Sequence, residues 1–443
     1  MARSRQKTTK DQASRLRAHK IRLSPTSSQV SYFVRCAGTA RYSFNWSLTY
    51  SDAFYREHGK SISDYDLKNV WNAHRKAKVP WTYEVTKWAA ESGVLNFCAA
   101  RLNWFRDLKK QKKSPGLKQQ CARRPRLKSK KRSKKTFTLY EFKCSGHELV
   151  VPKLGAVKMT EAVRFPGKIK SVTLSEQGGH WFASFLIELP EDYVYPHRCE
   201  TQAVVGIDLG LQFLATLSTE GKLDNPKFYR RCEQKLKKLH QALSRTMKGS
   251  RNQEKARRRL NTQYARLGNL RSDHLHQMTT PIVRRYRFIG VEDLYIAGML
   301  QSHSLARALS DASFCEIRRQ LEYKAGWAGC HVVVADRFFP SSKLCSTCGH
   351  KNDELKLSDR EWRCTQCGSH HDREINAARN LEAVARKYVA DGQSDTKNAC
   401  VTDGSETNTI GVVDVSLEGR ESFKQSARTQ ETFRDVSSLE ETL

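Results

Sequence analysis

The sequence predicts a multidomain α+β protein: a helical region, a small antiparallel β unit read as a barrel, and an α/β core that carries a four-cysteine ribbon. Three observations support that prediction. Residues 27 to 110 place aromatics at helical spacing, whereas residues 136 to 195 break into short alternating runs between Gly and Pro turns. From residue 202, apolar β-branched runs alternate with long helical stretches, the order of an α/β layer. Two Cys-x-x-Cys knuckles, Cys345/Cys348 and Cys364/Cys367, then deliver Asp372 five residues later at the head of a helix.

The elements follow in order. Residues 1 to 17 read as a basic flexible arm, and residues 18 to 26 hold one short strand, HKIRLSP, stopped by Pro25. Residues 27 to 120 form a helical domain in which Tyr42, Trp46, Tyr50 and Phe54 recur every four residues, chiefly as core. Residues 121 to 135 are a basic linker within a run, Lys109 to Lys135, of 14 Lys/Arg in 27 residues and no acid. Such a run forms no core and reads as a phosphate-binding segment that orders on contact. Residues 136 to 196 hold the runs TFTLYEF, HELVVP, KIKSVTLS and HWFASFLIEL, a β-barrel that the early strand KIRL would complete, making the helical region an insertion.

Residues 202 to 341 give the α/β core with inserted basic helices. The helical stretch Arg230 to Arg285 is broken near Gly249 and Gly268 and carries a stripe of Leu236, Leu239, Leu243 and Met247. Residues 342 to 370 form the ribbon and 371 to 390 the last helix. Residues 391 to 443, rich in Ser, Thr, Asp and Glu, read as a disordered acidic tail.

Charge narrows the function classes. The 443 residues have a net charge of +32, and residues 391 to 443 hold 11 acids against 5 bases, which leaves 73 Lys/Arg and 35 Asp/Glu on the rest. A chain this basic faces a polyanion, because neutralised phosphates release condensed counterions. Of 13 cysteines, nine are scattered singly and four have metal spacing, which fits a reducing compartment rather than a secreted disulfide framework. The N-terminus lacks an apolar signal region and no run has the length of a membrane span, so a cytoplasmic, nucleoid-associated location is expected. No P-loop or GxGxxG sequence appears, and NTP hydrolysis has no support.

The chemistry rests on three acids and four thiols. Asp208 ends VVGID, Glu292 ends FIGVE, and Asp372 opens DREINAARNL, so three carboxylates on three segments suggest one metal site for phosphodiester chemistry. Strand ends and helix starts give such ligands a rigid mount. Cys345, Cys348, Cys364 and Cys367, spaced C-x2-C-x15-C-x2-C, suit a tetrahedral structural Zn²⁺ with no open position. Gly349 and Gly368 suit the turns of those knuckles, and Asn376 and Asn380 stand where they could orient the ligand shell or contact nucleic acid.

The order GIDLG, GVEDL, four-cysteine ribbon and HDREINAARNL resembles the RuvC-like nucleases of the TnpB (OrfB) family carried by insertion sequences, relatives of the type V CRISPR effectors. The resemblance runs through SDHLHQMTTPIV, FPSSKLCSTCG and KIRLSPTSSQVSYFVRCAGTARYSFNWSL and covers about residues 18 to 388. It implies an RNase H-like fold with Asp208, Glu292 and Asp372 as catalytic acids binding Mg²⁺, two ions by the usual scheme. It implies wedge-like and recognition-like roles for the β unit and the helices. It also implies a guide RNA and a double-stranded target DNA cut beside a short flanking motif. The sequence departs from the pattern at Glu374, where an Asp is usual after Asp-Arg, and in its long tail. Two other functions fit the same features: a guided repressor that binds without cutting, and a DNA-only transposase of RNase H-like fold.

Overall fold

The computed structural model describes residues 15–113, 124–130, 133–195, 199, 202–356 and 358–391, all within one compact unit. Residues 1 to 14 of the arm expected over residues 1 to 17, part of the basic linker and the acidic tail from residue 392 lie outside the described residues, while Leu16 and Arg17 belong to the first strand rather than to an arm.

The first strand is β1 (Leu16–Ser24), whose alternate residues Arg17, His19, Ile21 and Leu23 are buried, as a half-covered strand requires. Pro25 ends it. Thr26 then caps helix α1 (Ser27–His58) in a capping box with Gln29, and Gly59 in the left-handed conformation closes the helix. Helices α2 (Asp64–Lys78) and α3 (Lys87–Lys113) follow, separated by a 3-10 turn at Pro80–Glu84. The aromatic series packs inward as expected, with Trp46 stacked on Tyr50 at 5.0 Å and tilted against Trp71 at 5.1 Å. Helices α1 and α3 touch closely at Gly93, where a Cβ would strike the Ala40 carbonyl and the Ser43 hydroxyl.

The β unit comprises β2 (Thr136–Leu139), β3 (Lys143–Ser145), β4 (Glu148–Val151), β5 (Gly155–Met159), β6 (Lys168–Gln177) and β7 (His180–Glu188). With β1 they form one antiparallel sheet in the order β2-β6-β7-β1-β5-β4-β3, so β1 does complete the unit and the helices are inserted after it. The expected barrel is not formed. Among the described residues, edge strands β2 and β3 do not pair with each other, and no sheet closes. A barrel buries its inner face by curling on itself. Here α1 covers that face instead, with Phe33 against Trp181 at 5.0 Å and Phe137 at 6.0 Å.

The second half opens with β8 (Val204–Asp208), β9 (Phe213–Leu217) and β10 (Lys222–Asp224), then helices α4 (Phe228–Ser244) and α5 (Arg251–Arg285). Leu236, Leu239 and Leu243 pack against Leu260 and Leu267 as the stripe predicts, but Met247 lies at the hairpin tip, exposed. The expected break at Gly249 is present. At Gly268 the helix continues, since a single helical glycine costs only about 1 kcal/mol. Next come β11 (Phe288–Val291), α6 (Ile296–Met299), α7 (His303–Ala312), α8 (Phe314–Ala328), β12 (His331–Val334), the short ribbon strands β13 (Glu361–Arg363) and β14 (His370–Asp372), and α9 (Arg373–Ala390).

The core sheet has the order β10-β9-β8-β11-β12, antiparallel from β10 to β8 and parallel from β8 to β12. Helix α9, from beyond the ribbon, lies directly on β8 and β11. A Cβ at Gly206 would strike the Ala378 carbonyl and one at Gly290 the Leu381 carbonyl, so two strand glycines let this helix seat. That seating fixes where the N-terminus of α9 meets the strand ends.

Candidate active site

Parallel pairing of β8 with β11 matches Ile207 to Val291, so the next residues, Asp208 and Glu292, leave neighbouring strands at the same level. Burial pushes the Asp208 carboxyl up to about 8, and the nearby charges of Glu292 and Glu374 add to the rise; Arg373 and the Leu209 amide oppose it. Burial also raises Glu292, against the Ser341 hydroxyl, which donates a short hydrogen bond to Glu292 Oε1. Two acids predicted from sequence are therefore brought together.

Asp372 sits differently. As N-cap of α9 its Oδ1 accepts from the amides of Glu374 at 2.9 Å and Ile375 at 3.1 Å, and its Oδ2 pairs with Lys222 at 2.7 Å. Burial alone would raise its pKa, but Lys222 and the helix amides together hold it below the usual value. The third acid that bears on Asp208 is Glu374. Its Oε2 accepts from Thr216 Oγ1 at 3.3 Å, and Thr216 is the β9 residue paired with Asp208. Its Oε1 stands 3.9 Å from where a Cβ on Gly210 would lie, and Arg360 approaches it at 3.6 Å. Sequence reading noted Glu374 only as a departure from a motif. The available signal was its place two residues into the helix, inside the first turn that faces the strand ends.

Beyond the acids, Asp293 is held between Arg318 (2.7 Å) and Arg337 (2.6 Å). Burial opposes its ionisation, and these two guanidinium groups more than offset it.

The four cysteines converge. Among the described residues they are the one group of three or more His, Cys, Asp and Glu side chains whose ligand atoms all lie within 4.8 Å of one another. The Sγ atoms of Cys345 and Cys367, and those of Cys348 and Cys364, stand 3.6 Å apart. Four thiolates at ~2.3 Å around one tetrahedral ion would stand about 3.8 Å apart, so the donor set fits a metal. Gly349 and Gly368 adopt positive φ, and their amides donate to Cys345 and Cys364 carbonyls, the knuckle turns that the sequence predicts. His371 is no fifth ligand by position: its Nε2 lies 3.1 Å from Cys345 Sγ, a hydrogen-bonding contact.

Asn376 and Asn380 join ribbon to helix rather than facing solvent. Asn376 is 1 % exposed; its Nδ2 donates to the Leu344 carbonyl at 2.6 Å while its Oδ1 accepts from the Ser346 amide at 2.9 Å. Asn380 Nδ2 donates to the Ser341 and Leu344 carbonyls at 2.7 and 2.8 Å. Replacing Asn376 with Ala strands a buried amide and weakens a carbonyl's partnership, so we expect a loss of about 2 to 3 kcal/mol, measurable by urea unfolding of the full chain.

Comparison with known proteins places the chain. Residues 184–303 match a family profile described as "Probable transposase" (OrfB, IS605), and residues 314–381 match "Cas12f1-like, TNB domain". A protein of Streptomyces pristinaespiralis, named "Putative RNA-guided DNA endonuclease", is 35% identical over 383 residues, covering 85% of this chain and 91% of that protein. The chain belongs to the TnpB (OrfB) family. InsQ of Escherichia coli K12, a TnpB relative with the same descriptive name, is 28% identical over 401 residues, 86% of this chain and 94% of InsQ. Among solved structures, a chain of a Cas12f1–sgRNA–target DNA complex is similar with a TM-score of 0.49 and 14% identity, covering 81% of this chain and 83% of that one. Residues 14–60 match a profile called "Helix-turn-helix domain". In this TnpB chain the described part of that span is one strand followed by one helix, β1 and α1, with no second helix.

Proposed function

We propose that this TnpB-family chain is an RNA-guided DNA endonuclease of transposon origin that hydrolyses phosphodiesters with divalent metal. The observation that carries the reading is the convergence of Asp208 and Glu292 at the ends of β8 and β11 with Glu374 at the start of α9, where the charges of Glu292 and Glu374 both oppose ionisation of Asp208. Like charges are held together against repulsion where a cation is to be bound. The names of the relatives, both RNA-guided endonucleases, and the +32 charge favour the same conclusion.

The donor chemistry fits Mg²⁺, being hard carboxylate oxygen with no thiol among it. Asp208 and Glu292 would hold the ion or ions, with Glu374 as the third metal-facing acid. Asp372 caps the helix that carries Glu374. Bound Mg²⁺ would polarise the scissile phosphate and lower the pKa of the attacking water. The protein's own part is positional: Ser341 orients Glu292, Thr216 orients Glu374, and the Leu209 amide bears on Asp208. The four cysteines would hold one structural Zn²⁺. The antiparallel sheet and α1 to α3 are read as the wedge-like and recognition-like parts that engage guide RNA and the motif flanking the target, and the core as RNase H-like.

The division between Asp372 and Glu374 is testable. With RNA co-purified from cells that also carry the gene's flanking DNA, Glu374→Gln is expected to lower cleavage of a matching duplex by at least ~100-fold. Asp372→Asn, which keeps a capping oxygen, is expected to lower it by no more than about tenfold. The reverse ranking returns the third ligand place to Asp372. Strand transfer in the absence of RNA would instead favour a DNA-only transposase.

A further inference from the structure

We propose that Phe338 is a stacking platform for an unpaired base of the DNA strand being cut, setting which phosphodiester reaches the acids. The proposal rests on the nuclease reading and adds a residue that positions the strand. Phe338 is 87 % exposed, the most exposed large apolar side chain among the described residues. Single exposed apolar side chains are common on protein surfaces, and what sets this one apart is a turn tied to the acid-bearing strand.

The mount is rigid at both ends. Ala335 donates its amide to the Val291 carbonyl at 2.8 Å, anchoring the turn to β11 one residue before Glu292. Asp336 then closes the turn twice, its Oδ1 accepting from the Phe338 amide at 2.9 Å and its carbonyl from the Phe339 amide at 3.0 Å. Arg337, the preceding residue, is locked to Asp293 Oδ2 through Nε (3.0 Å) and Nη2 (2.6 Å) and lies 5.5 Å from the ring of Tyr295, itself 42 % exposed. Three residues beyond Phe338, Ser341 donates to Glu292. The turn is thus tied to the acid site at Val291, Glu292 and Asp293, and an aromatic ring is the part it leaves free.

Nucleic acid is the occupant these contacts favour. A flat ring exposed on a turn whose preceding arginine lies against a second aromatic offers a sequence-tolerant surface to any base face. A strand whose phosphate lies on Asp208 and Glu292 carries its neighbouring bases past this turn. A duplex keeps its bases stacked inside, so the partner is an unpaired strand.

The test uses the full chain loaded with its own RNA, carrying Asp208→Asn to prevent cutting, and a matching duplex with a pre-opened bubble. Fluorescent 2-aminopurine is placed at successive positions of either strand. Quenching is expected at one position or two adjacent ones, lost in Phe338→Ala with about tenfold weaker uptake of the open strand and restored by Phe338→Tyr. Unchanged zinc content and melting temperature check the fold of each variant. Quenching that is absent in the parent, or that survives Phe338→Ala, overturns the proposal. Cleavage by the chain with Asp208 intact is read on the same duplex. If it cuts while Phe338→Ala leaves quenching untouched, stacking alone is wrong. If it never cuts yet quenching depends on Phe338, the nuclease reading fails and the platform stands.

Discussion

Asp208→Asn is expected to abolish cleavage of a matched target while making the metal-free protein more resistant to heat at pH 7 to 8. The two effects share one cause. Burial, with Glu292 and Glu374 nearby, raises the Asp208 carboxyl from 3.8 to about 8. A carboxyl with a raised folded-state pKa contributes stability that is fully present below its unfolded value, near pH 4. That contribution is lost as pH climbs through about 8, because the unfolded chain gives up the proton first. At the upper end the penalty is bounded at about 6 kcal/mol by the size of the shift, before relaxation and water entry reduce it. An amide of the same shape carries no such penalty. The variant's advantage in melting temperature should therefore be largest at pH 8 and vanish towards pH 4. Millimolar Mg²⁺ should reverse the order at pH 8, since a cation that replaces the proton stabilises only the parent. A variant that still cuts, or one that melts identically to the parent across this range without metal, contradicts the assignment of Asp208.

Cys364→Ser is expected to lower the zinc content of the purified protein and, with it, the cleavage rate by at least ~100-fold, although no cysteine belongs to the acid group. The coupling runs through peptide groups. The first knuckle presents the Leu344 carbonyl and the Ser346 amide to Asn376, and Asn380 grips Ser341 and Leu344 from the next turn of α9. The second knuckle joins β13 to β14, whose pairing of Glu361 with Asp372 ends where α9 begins. Loosening either knuckle releases the N-terminal turn of α9, and a displacement of about 1 Å at reacting groups is worth about 100-fold. Metal analysis of the purified variant beside its cleavage rate checks this. Full activity in a zinc-free protein would dissociate ribbon from site.

What the sequence revealed depended on how local its signal was. The strand ends at Asp208 and Glu292 were readable because each follows an apolar β-branched run, and a buried strand seldom ends in an acid without a partner. The cysteine ribbon and its glycine turns were readable from spacing alone. The different surroundings of Asp372 and Glu374 were not, because both are acids in the same first helical turn and only the fold brings Lys222, from a distant strand, to Asp372. The barrel expectation failed for a related reason. Alternation announces that a sheet has one covered face, but not whether the cover is the sheet itself or, as here, α1 with Phe33. Phe338 left no mark in the pattern either, since exposure is a property of the assembled fold.

The order of the acid-bearing segments along the chain makes the site one that is completed late. Strands β8 and β11, which set Asp208 beside Glu292, both precede α9 in the chain. Until that last helix settles over Gly206 and Gly290, the two strand acids have neither Glu374 nor the ribbon's hold on it. A chain that stops short of α9 would keep both strand acids and lose everything the helix brings to them.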